Sequence, residues 1–458
     1  MNTWTLTFAG AADTVTGSRH LLQSGNRRVL LDCGLFQGYK TLRERNWAPF
    51  TVRGARLDAI IVSHAHLDHS GYLPVLVRDG FRGPIYVTPA TRDLCEVMLL
   101  DSAHLLEEEA RRANRYGYTR HAPALPLYTV DEAKRCLDLL QPVDFDTPHD
   151  AAGLQFEFVH AGHLLGAASV RLRLAARTLL FSGDLGRDDD MLMPPPAPMR
   201  PADVLLVEST YGNRLHPRDD VMEQLATIVR DTVRGGGSVL MPSFAVGRAQ
   251  ALLLGLLRLK RAQRIPDVPV FVDSPMASKA TQIHLQHHAL LRIDEAECRA
   301  MIDGARFVAT PEESKELSAM RYPAVIIAAS GMATGGRVLH HLKALAPHPQ
   351  HHVVFPGFQV PGTRGAKLVA GERTVRLFGE DVPVRARVSH LEGYSGHADA
   401  NGLMQWLRGS GHAPEQTFVI HGERAASDAL RSRIQSELRW AHVRVPEHME
   451  SVTVAEGA

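Results

Sequence analysis

The stretch Ser63-His64-Ala65-His66-Leu67-Asp68-His69-Ser70-Gly71 packs three histidines and an aspartate into six positions. It follows an apolar run, Leu57 to Val62, that reads as a buried strand, so its side chains are delivered from a loop at a sheet edge. Imidazole nitrogen and carboxylate oxygen are the ligands zinc takes in a water-retaining catalytic site, and the lack of cysteine speaks against a closed structural site. Four ligands this close together do not converge easily on one tetrahedral ion. Two metals side by side are the natural reading.

The same pattern recurs down the chain. Gln155 to Val159 reads as a strand running into His160-Ala161-Gly162-His163, and Arg177 to Phe181 as one running into Ser182-Gly183-Asp184. Gln416 to Ile420 ends in His421. Ligands at successive strand ends can converge, and a carboxylate such as Asp184 can share its oxygens between two ions. His160 is the weaker candidate and reads as a packed histidine. Asp32 closes the strand Arg28 to Asp32; it is either a carboxylate that orients a ligand histidine or a turn residue.

The elements around these motifs fall into three blocks. Residues 1–210 start with short strands separated by glycine turns and continue with helices at His69 to Arg78 and Pro89 to Arg115. Glu107 to Arg112 read as a solvated helix face; Tyr116, Tyr118, Arg120 and His121 after it read as a surface loop, with the border of a substrate cleft as the alternative. Over 211–366, strand-like runs alternate with helical ones, the signature of βα units on a mostly parallel sheet. Past about Ala366 an antiparallel style returns, with strands at Thr374 to Phe378 and Val384 to Val388, so 367–458 are expected to complete the first layer.

Within the middle block, Ser330-Gly331-Met332-Ala333-Thr334-Gly335-Gly336-Arg337 joins a strand to a helix. Exposed N–H groups at a helix start favour an anion, and a tight turn explains the glycines equally well. Pro242-Ser243-Phe244-Ala245-Val246-Gly247-Arg248 is a second junction of this kind. The histidine pairs at 287–288, 340–341 and 351–352 lack convergent context and are expected on surfaces.

Composition narrows the classes. A formal charge of +1 over 458 residues gives no global basic field, so any polyanion must be held by a local groove and by metals. Four scattered cysteines fit a reduced cytoplasmic thiol set. The N-terminal alternation lacks signal-peptide character and no apolar run approaches spanning length, so no membrane partner is expected.

Taken together, His64 to His69, His163 and Asp184 resemble the successive signature motifs of the metallo-β-lactamase superfamily. Glu208 in Val207-Glu208-Ser209-Thr210, His397 in Ser395-Gly396-His397, and His421 in Ile420-His421-Gly422 resemble the additional motifs of its β-CASP branch. That branch processes nucleic acids and includes the endonuclease subunit of the pre-mRNA cleavage and polyadenylation factor. The resemblance covers essentially the whole chain. It implies an α/β fold, an αββα metallo-β-lactamase sandwich with an inserted β-CASP domain on a mostly parallel sheet.

By the same resemblance, one Zn2+ is held by His64, His66 and His163 and a second by Asp68, His69 and His421, with Asp184 bridging and Asp32 supporting; Mn2+ suits the same donors. Asp68, Glu208 and His397 are the catalytic candidates. Ser243, Arg248, Ser330, Thr334, Gly335, Gly336, Arg337 and Arg364 are candidate phosphate contacts. The implied activity is hydrolysis of single-stranded RNA, endonucleolytic with room for 5′ exonuclease action, leaving 5′-phosphate and 3′-hydroxyl ends. Histidine at 421 is the pattern of RNA-cleaving members. A DNA nuclease, a thioester or lactone hydrolase and a non-catalytic binding module are the rival readings, the last disfavoured because no ligand is missing, and a homodimer is allowed.

Overall fold

The structure, a computed structural model, describes residues 3–49, 54–217, 220–360 and 362–456. The first two residues of the N-terminal alternation lie outside the described residues, as do positions 218, 219 and 361 of the middle block. The chain divides into two compact units, Met1–Leu215 with His397–Ala458, and His216–Gly396.

In the first unit, two seven-stranded sheets stack. The first runs in the order Ser451–Ala455, Trp4–Phe8, His20–Ser24, Arg27–Leu31, Ala59–Ile61, Ile85–Val87, Leu140–Pro142. The second runs Val443–Arg444, Gln416–Ile420, Val204–Glu208, Arg177–Phe181, Ala168–Leu174, Leu154–His160, His149–Ala151. Alternation decides which faces meet: Trp4, Leu6 and Phe8 point inward from the first strand. They join Leu22, Val29, Phe158, Val170, Phe181 and Phe418 in one core between the sheets. The helices Pro89–Tyr116 and Val130–Leu137 pack together beside the first sheet, and Arg424–Arg433 packs on the second. The long helix begins at Thr88, whose side chain caps Thr91 N, and ends where Gly117 turns left-handed at φ 63°.

Strand direction aligns the motifs. Arg177–Phe181, Val204–Glu208 and Gln416–Ile420 are mutually parallel, so Asp184, Glu208 and His421 emerge at one edge. In the other sheet, Arg27–Leu31 and Ala59–Ile61 are also parallel and deliver Asp32 and Ser63 to His69. The helix expected over His69 to Arg78 is broken. Tyr72 N donates to Cys33 O at 2.8 Å, leaving a turn at Leu67–Ser70 and a separate helix at Leu73–Arg78.

The second unit carries six parallel strands in the order Arg306–Phe307, Val270–Asp273, Val325–Ala328, Val239–Pro242, His352–Pro356, Arg387–Leu391. Its last strand corrects the expectation for residues past 366. Thr374–Leu377 and Glu380–Pro383 form a separate hairpin, and Arg387–Leu391 pairs in parallel with His352–Pro356 instead of extending the first layer. Among the described residues no helix is long and apolar enough to cross a membrane.

Candidate metal centre

The loop after Ala59–Ile61 is held at each end of its helical turn. Ser18 N donates to Asp68 O (2.8 Å), Cys33 N to His69 O (2.7 Å) and Leu35 N to Leu67 O (2.8 Å). Contact with the Gly34 backbone is so close that a Cβ there would sit 1.6 Å from Asp68 O, so only glycine fits.

Asp32 is fully buried with φ 56°, a conformation that aspartate tolerates better than most residues. Its carboxylate accepts from Ser63 N (2.7 Å), Ser63 Oγ (3.1 Å), Ser18 Oγ (2.9 Å) and His69 Nδ1 (2.7 Å). Of the two readings open for Asp32, the structure therefore has the carboxylate on a histidine. With Nδ1 on Asp32, Nε2 is the His69 ring nitrogen turned toward the cluster.

Three groups of donors come together. Ligand-type atoms of His64, His66, His163 and Asp184 lie within 4.8 Å of one another, as do those of Asp68, His69 and His421, and those of Asp184, Glu208 and His421. In the first group the spacings are 3.1 Å (His64 Nε2 to His66 Nδ1), 3.3 Å (His163 Nε2 to His66 Nδ1), and 3.6 and 3.7 Å from Asp184 Oδ2 to His64 Nε2 and His163 Nε2. In the second, His69 Nε2 lies 3.0 Å from His421 Nε2 and 3.4 Å from Asp184 Oδ2, and Asp68 Oδ2 lies 3.9 and 3.7 Å from the two histidines.

A tetrahedral zinc with 2.0–2.1 Å bonds has donor–donor edges of about 3.3 to 3.4 Å. The observed spacings bracket that edge, and Asp184 Oδ2 stands 3.6 and 3.7 Å from two nitrogens of the first group and 3.4 Å from His69 Nε2 of the second. Asp184 Oδ1 is buried and lacks a hydrogen-bond partner, although His421 Nδ1 stands 3.4 Å away at an unsuitable angle. An orphaned buried carboxylate oxygen is what an ion would satisfy. The donor set fits two divalent ions.

Electrostatics agree. Burial, then charge on His69, keeps His64 well below its ordinary pKa, and burial brings His66 down to about 4, so both present free lone pairs. Burial works against charge on Asp184, but His421, His69 and His64 hold its carboxyl well below the usual carboxylate range. At Asp68 the same opposition ends at about 2, with His69 and His421 outweighing burial.

Beside the donors sits an acid–base pair. Glu208 is fully buried; its Oε1 accepts Leu185 N (2.8 Å) and its Oε2 accepts Thr210 N (3.0 Å). His397 Nδ1 lies 3.3 Å from Glu208 Oε1, and its ring centre lies 4.3 Å from that of His163, the planes inclined at 41°. Burial opposes charge on His397, yet Glu208 and Asp184 raise its pKa above the ordinary value. His160 lies apart from the donors, with its ring 5.4 Å from Phe145.

The candidate phosphate contacts all lie in the second unit. Val239–Pro242 and Val325–Ala328 are neighbours, and the chain leaves them toward opposite sides of the sheet, the topological switch where parallel sheets tend to bind ligands. Here the Ser243 and Ser330 loops touch, since a Cβ on Gly331 would come within 2.9 Å of Phe244 N. Ser330 Oγ lies 3.0 Å from Thr334 Oγ1 and accepts Thr334 N (3.2 Å), and Gly336 has φ 77°.

The three arginines turn elsewhere. Arg337 binds Asp273 Oδ1 (2.7 Å), Val308 O (3.1 Å) and Ala309 O (2.9 Å). Arg364 donates to Arg376 O (2.9 Å) and Thr334 O (3.1 Å), and Arg248 donates to Pro356 O. They brace these loops from within.

Sequence reasoning missed several residues. Ser63 Oγ lies 3.1 Å from His64 Nδ1 and Thr210 Oγ1 3.1 Å from His421 Nδ1, while Ser18 Oγ donates to Asp32. Asp273, fully buried, joins Arg337, Ser314 and His341, the last at 2.6 Å. Like Asp32 it terminates a strand, which was signal enough to single it out. His341 and His352 are buried, against the expectation that the histidine pairs lie on surfaces; each has its ring nitrogens bonded inside the second unit.

Comparison with known proteins gives three family matches along the chain. Residues 15–222 match the metallo-beta-lactamase superfamily, 249–368 the Beta-Casp domain, and 381–446 the Zn-dependent metallo-hydrolase RNA specificity domain. The chain is 38% identical to ribonuclease TTHA0252 of Thermus thermophilus, over 97% of this chain and 99% of that one. It is 31% identical to the transcription termination factor FttA of Methanocaldococcus jannaschii, covering 91% of this chain and 67% of that longer protein. A crystal structure of a protein of unknown function from Enterococcus faecalis V583 shares the fold, with a TM-score of 0.55 at 12% identity over 99% of this chain and 100% of that one.

Proposed function

Because the chain belongs to the β-CASP branch of the metallo-β-lactamase superfamily, we propose that it is a metal-dependent ribonuclease that hydrolyses phosphodiester bonds of single-stranded RNA. The observation that carries this reading is the pairing of two donor sets through Asp184 with the Glu208–His397 couple beside them. The RNA specificity domain and the ribonuclease relative support RNA over DNA as substrate.

In this reading His64, His66 and His163 would hold one divalent ion and Asp68, His69 and His421 a second, with Asp184 within reach of both. Zinc is the ion of choice for these donors, with manganese the alternative. Bound there, such ions would supply activated water at neutral pH and would neutralise charge that grows on the phosphoryl group. Asp32 keeps His69 in the tautomer that binds. Glu208 keeps Nδ1 of His397 protonated and the ring aimed, and His397 hands a proton to the departing 3′ oxygen. The products carry 5′-phosphate and 3′-hydroxyl ends. Hydroxyls of Ser243, Ser330 and Thr334 and the backbone at Gly335–Gly336 contact phosphates, while Arg248, Arg337 and Arg364 shape that surface. Four buried, unpaired cysteines support a cytoplasmic setting.

The test is cleavage of matched single-stranded RNA and DNA, each labelled at the 5′ end and then internally. Intermediate RNA fragments with 5′ phosphates support endonuclease action, and mononucleotides released from the 5′ end support exonuclease action. DNA cut as fast as RNA, or a thioester hydrolysed while RNA stays intact, would overturn the proposal. Light scattering on the same sample decides between monomer and homodimer.

A further inference from the structure

The far end of the Pro89–Tyr116 helix carries a display that the metal cluster does not use. Residues 111–125 contain Arg111, Arg112, Arg115 and Arg120 and no acidic residue, in a chain of formal charge +1. Tyr116 and Tyr118 are 66% and 57% exposed, and Leu125 is 68% exposed. Large exposed rings beside arginines are unusual on a surface that touches only water.

This segment is shaped from within. Gly117 turns the chain out of the helix, and Asn114 closes the loop by giving Nδ2 to Ala124 O (2.9 Å) and accepting Ala124 N (2.7 Å). Tyr118 OH donates to Glu109 Oε1 at 2.8 Å, fixing the ring, and the Arg115 guanidinium lies 5.4 Å from the Tyr116 ring centre. The nearby acids are engaged: Glu107 accepts Val130 N (2.9 Å) and Glu108 pairs with Arg112 (3.4 Å). Among the described residues neither Arg115 nor Arg120 has a carboxylate partner.

Preformed ring faces with unneutralised guanidinium groups match one ligand chemistry, a flexible strand with accessible bases and a phosphate at each step. We propose that residues 115–121 form an auxiliary platform for single-stranded RNA, stacking bases on Tyr116 and Tyr118 and holding phosphates with Arg115 and Arg120. The proposal rests on the ribonuclease reading for the identity of the strand.

The helix sets the reach. Its first turn is fixed near the metal donors, since Thr88 and Thr91 hydroxyls donate to Gly166 O (2.7 and 2.9 Å), three residues beyond His163. From Thr91 to Tyr116 the rise of 1.5 Å per residue gives about 37 Å. At about 3.4 Å per stacked nucleotide, roughly ten nucleotides are needed to span both places. Only substrates longer than that gain from the platform.

The experiment uses full-length protein, a Tyr116→Ala/Tyr118→Ala double variant and an Arg115→Ala/Arg120→Ala double variant. Oligouridylates of ~6 and ~30 nucleotides bracket the span. Cleavage efficiency is read on both lengths, and binding is read by anisotropy with a phosphorothioate version of the longer one. Each stacked base is worth on the order of ten-fold in affinity. Both variants are expected to lose at least about that factor on the long strand and nothing on the short one, with unchanged thermal midpoints. Equal loss on both lengths, no loss on the long strand, or loss of binding to phosphatidylserine vesicles instead of RNA would overturn the platform. Wild-type protein that binds the long strand through these residues but cuts neither length would uphold the platform and sink the cleavage reading. Protein that does not bind the long strand and cuts neither length would sink both.

Discussion

Asp32→Asn is the substitution that most sharply tests how the donors are held. All four partners of the Asp32 carboxylate are donors: Ser63 N, Ser63 Oγ, Ser18 Oγ and His69 Nδ1. Asparagine keeps one acceptor oxygen and turns an NH2 toward groups that also donate. The backbone does not confound the test, because asparagine tolerates the left-handed φ of 56° at this position.

Loss of the charge-assisted bond to His69 costs about 1.5–3 kcal/mol, and a stranded buried donor adds about 1–3 kcal/mol. The sum, roughly 2.5–6 kcal/mol, corresponds to a fall in thermal midpoint of about 5–24 °C at about 2–4 °C per kcal/mol. The imidazole also loses the acceptor that kept its proton on Nδ1, so metal affinity should drop about 10–100-fold. Competition with a chromophoric chelator reads the affinity and calorimetry reads the midpoint. A variant that binds both ions as tightly as wild type and melts at the same temperature would refute the role given to Asp32.

Four further outcomes are expected. His397→Ala should lower kcat by about 10²–10⁴-fold while ion content and RNA binding stay constant; a fall in ion content would make His397 a ligand instead. Gly34→Ala should abolish ion binding or folding, since its Cβ would overlap Asp68 O at 1.6 Å, and a normally loaded protein would contradict the clamp. Arg337→Gln should destabilise the second unit yet leave the salt slope of RNA binding unchanged, because its guanidinium is engaged by Asp273, Val308 O and Ala309 O. A direct phosphate contact would instead flatten that slope by about one unit.

The last concerns acid. Burial depresses His284 from 6.5 to about 4, so the unfolded chain takes up the proton first and stability falls as pH drops from about 6.5 towards 4. A shift of that size amounts to about 3 kcal/mol at about 1.4 kcal/mol per unit. His284→Gln should flatten this part of the denaturation profile, and an unchanged profile would refute the assignment.

How much could be read from sequence follows from where each signal lies. The donors were legible because polar residues that follow an apolar strand stand out locally, and parallel pairing carries Asp184, Glu208 and His421 to one edge. The surroundings of Arg337 and Arg364 were hidden for the opposite reason. A guanidinium in a glycine-rich loop looks available, and nothing local says that Arg337 is taken by Asp273, 64 positions away. His341 and His352 looked like surface residues because a pair of adjacent histidines hides which one the helix or strand turns inward. Arg387–Leu391 was misassigned because it is a half-exposed edge strand with only Leu391 buried, so its apolar pattern is faint. The break after Ser70 depends on Cys33 O capturing Tyr72 N, a contact between distant parts of the chain.

The most direct measurement of the central claim is a zinc titration of chelator-stripped protein, following single-turnover cleavage of an internally labelled RNA strand. Two donor sets sharing Asp184 predict that cleavage rises to its plateau only as the second ion per chain binds, and that Asp184→Ala never reaches it. Full cleavage with a single ion bound, or by the stripped protein, would contradict the dinuclear ribonuclease reading.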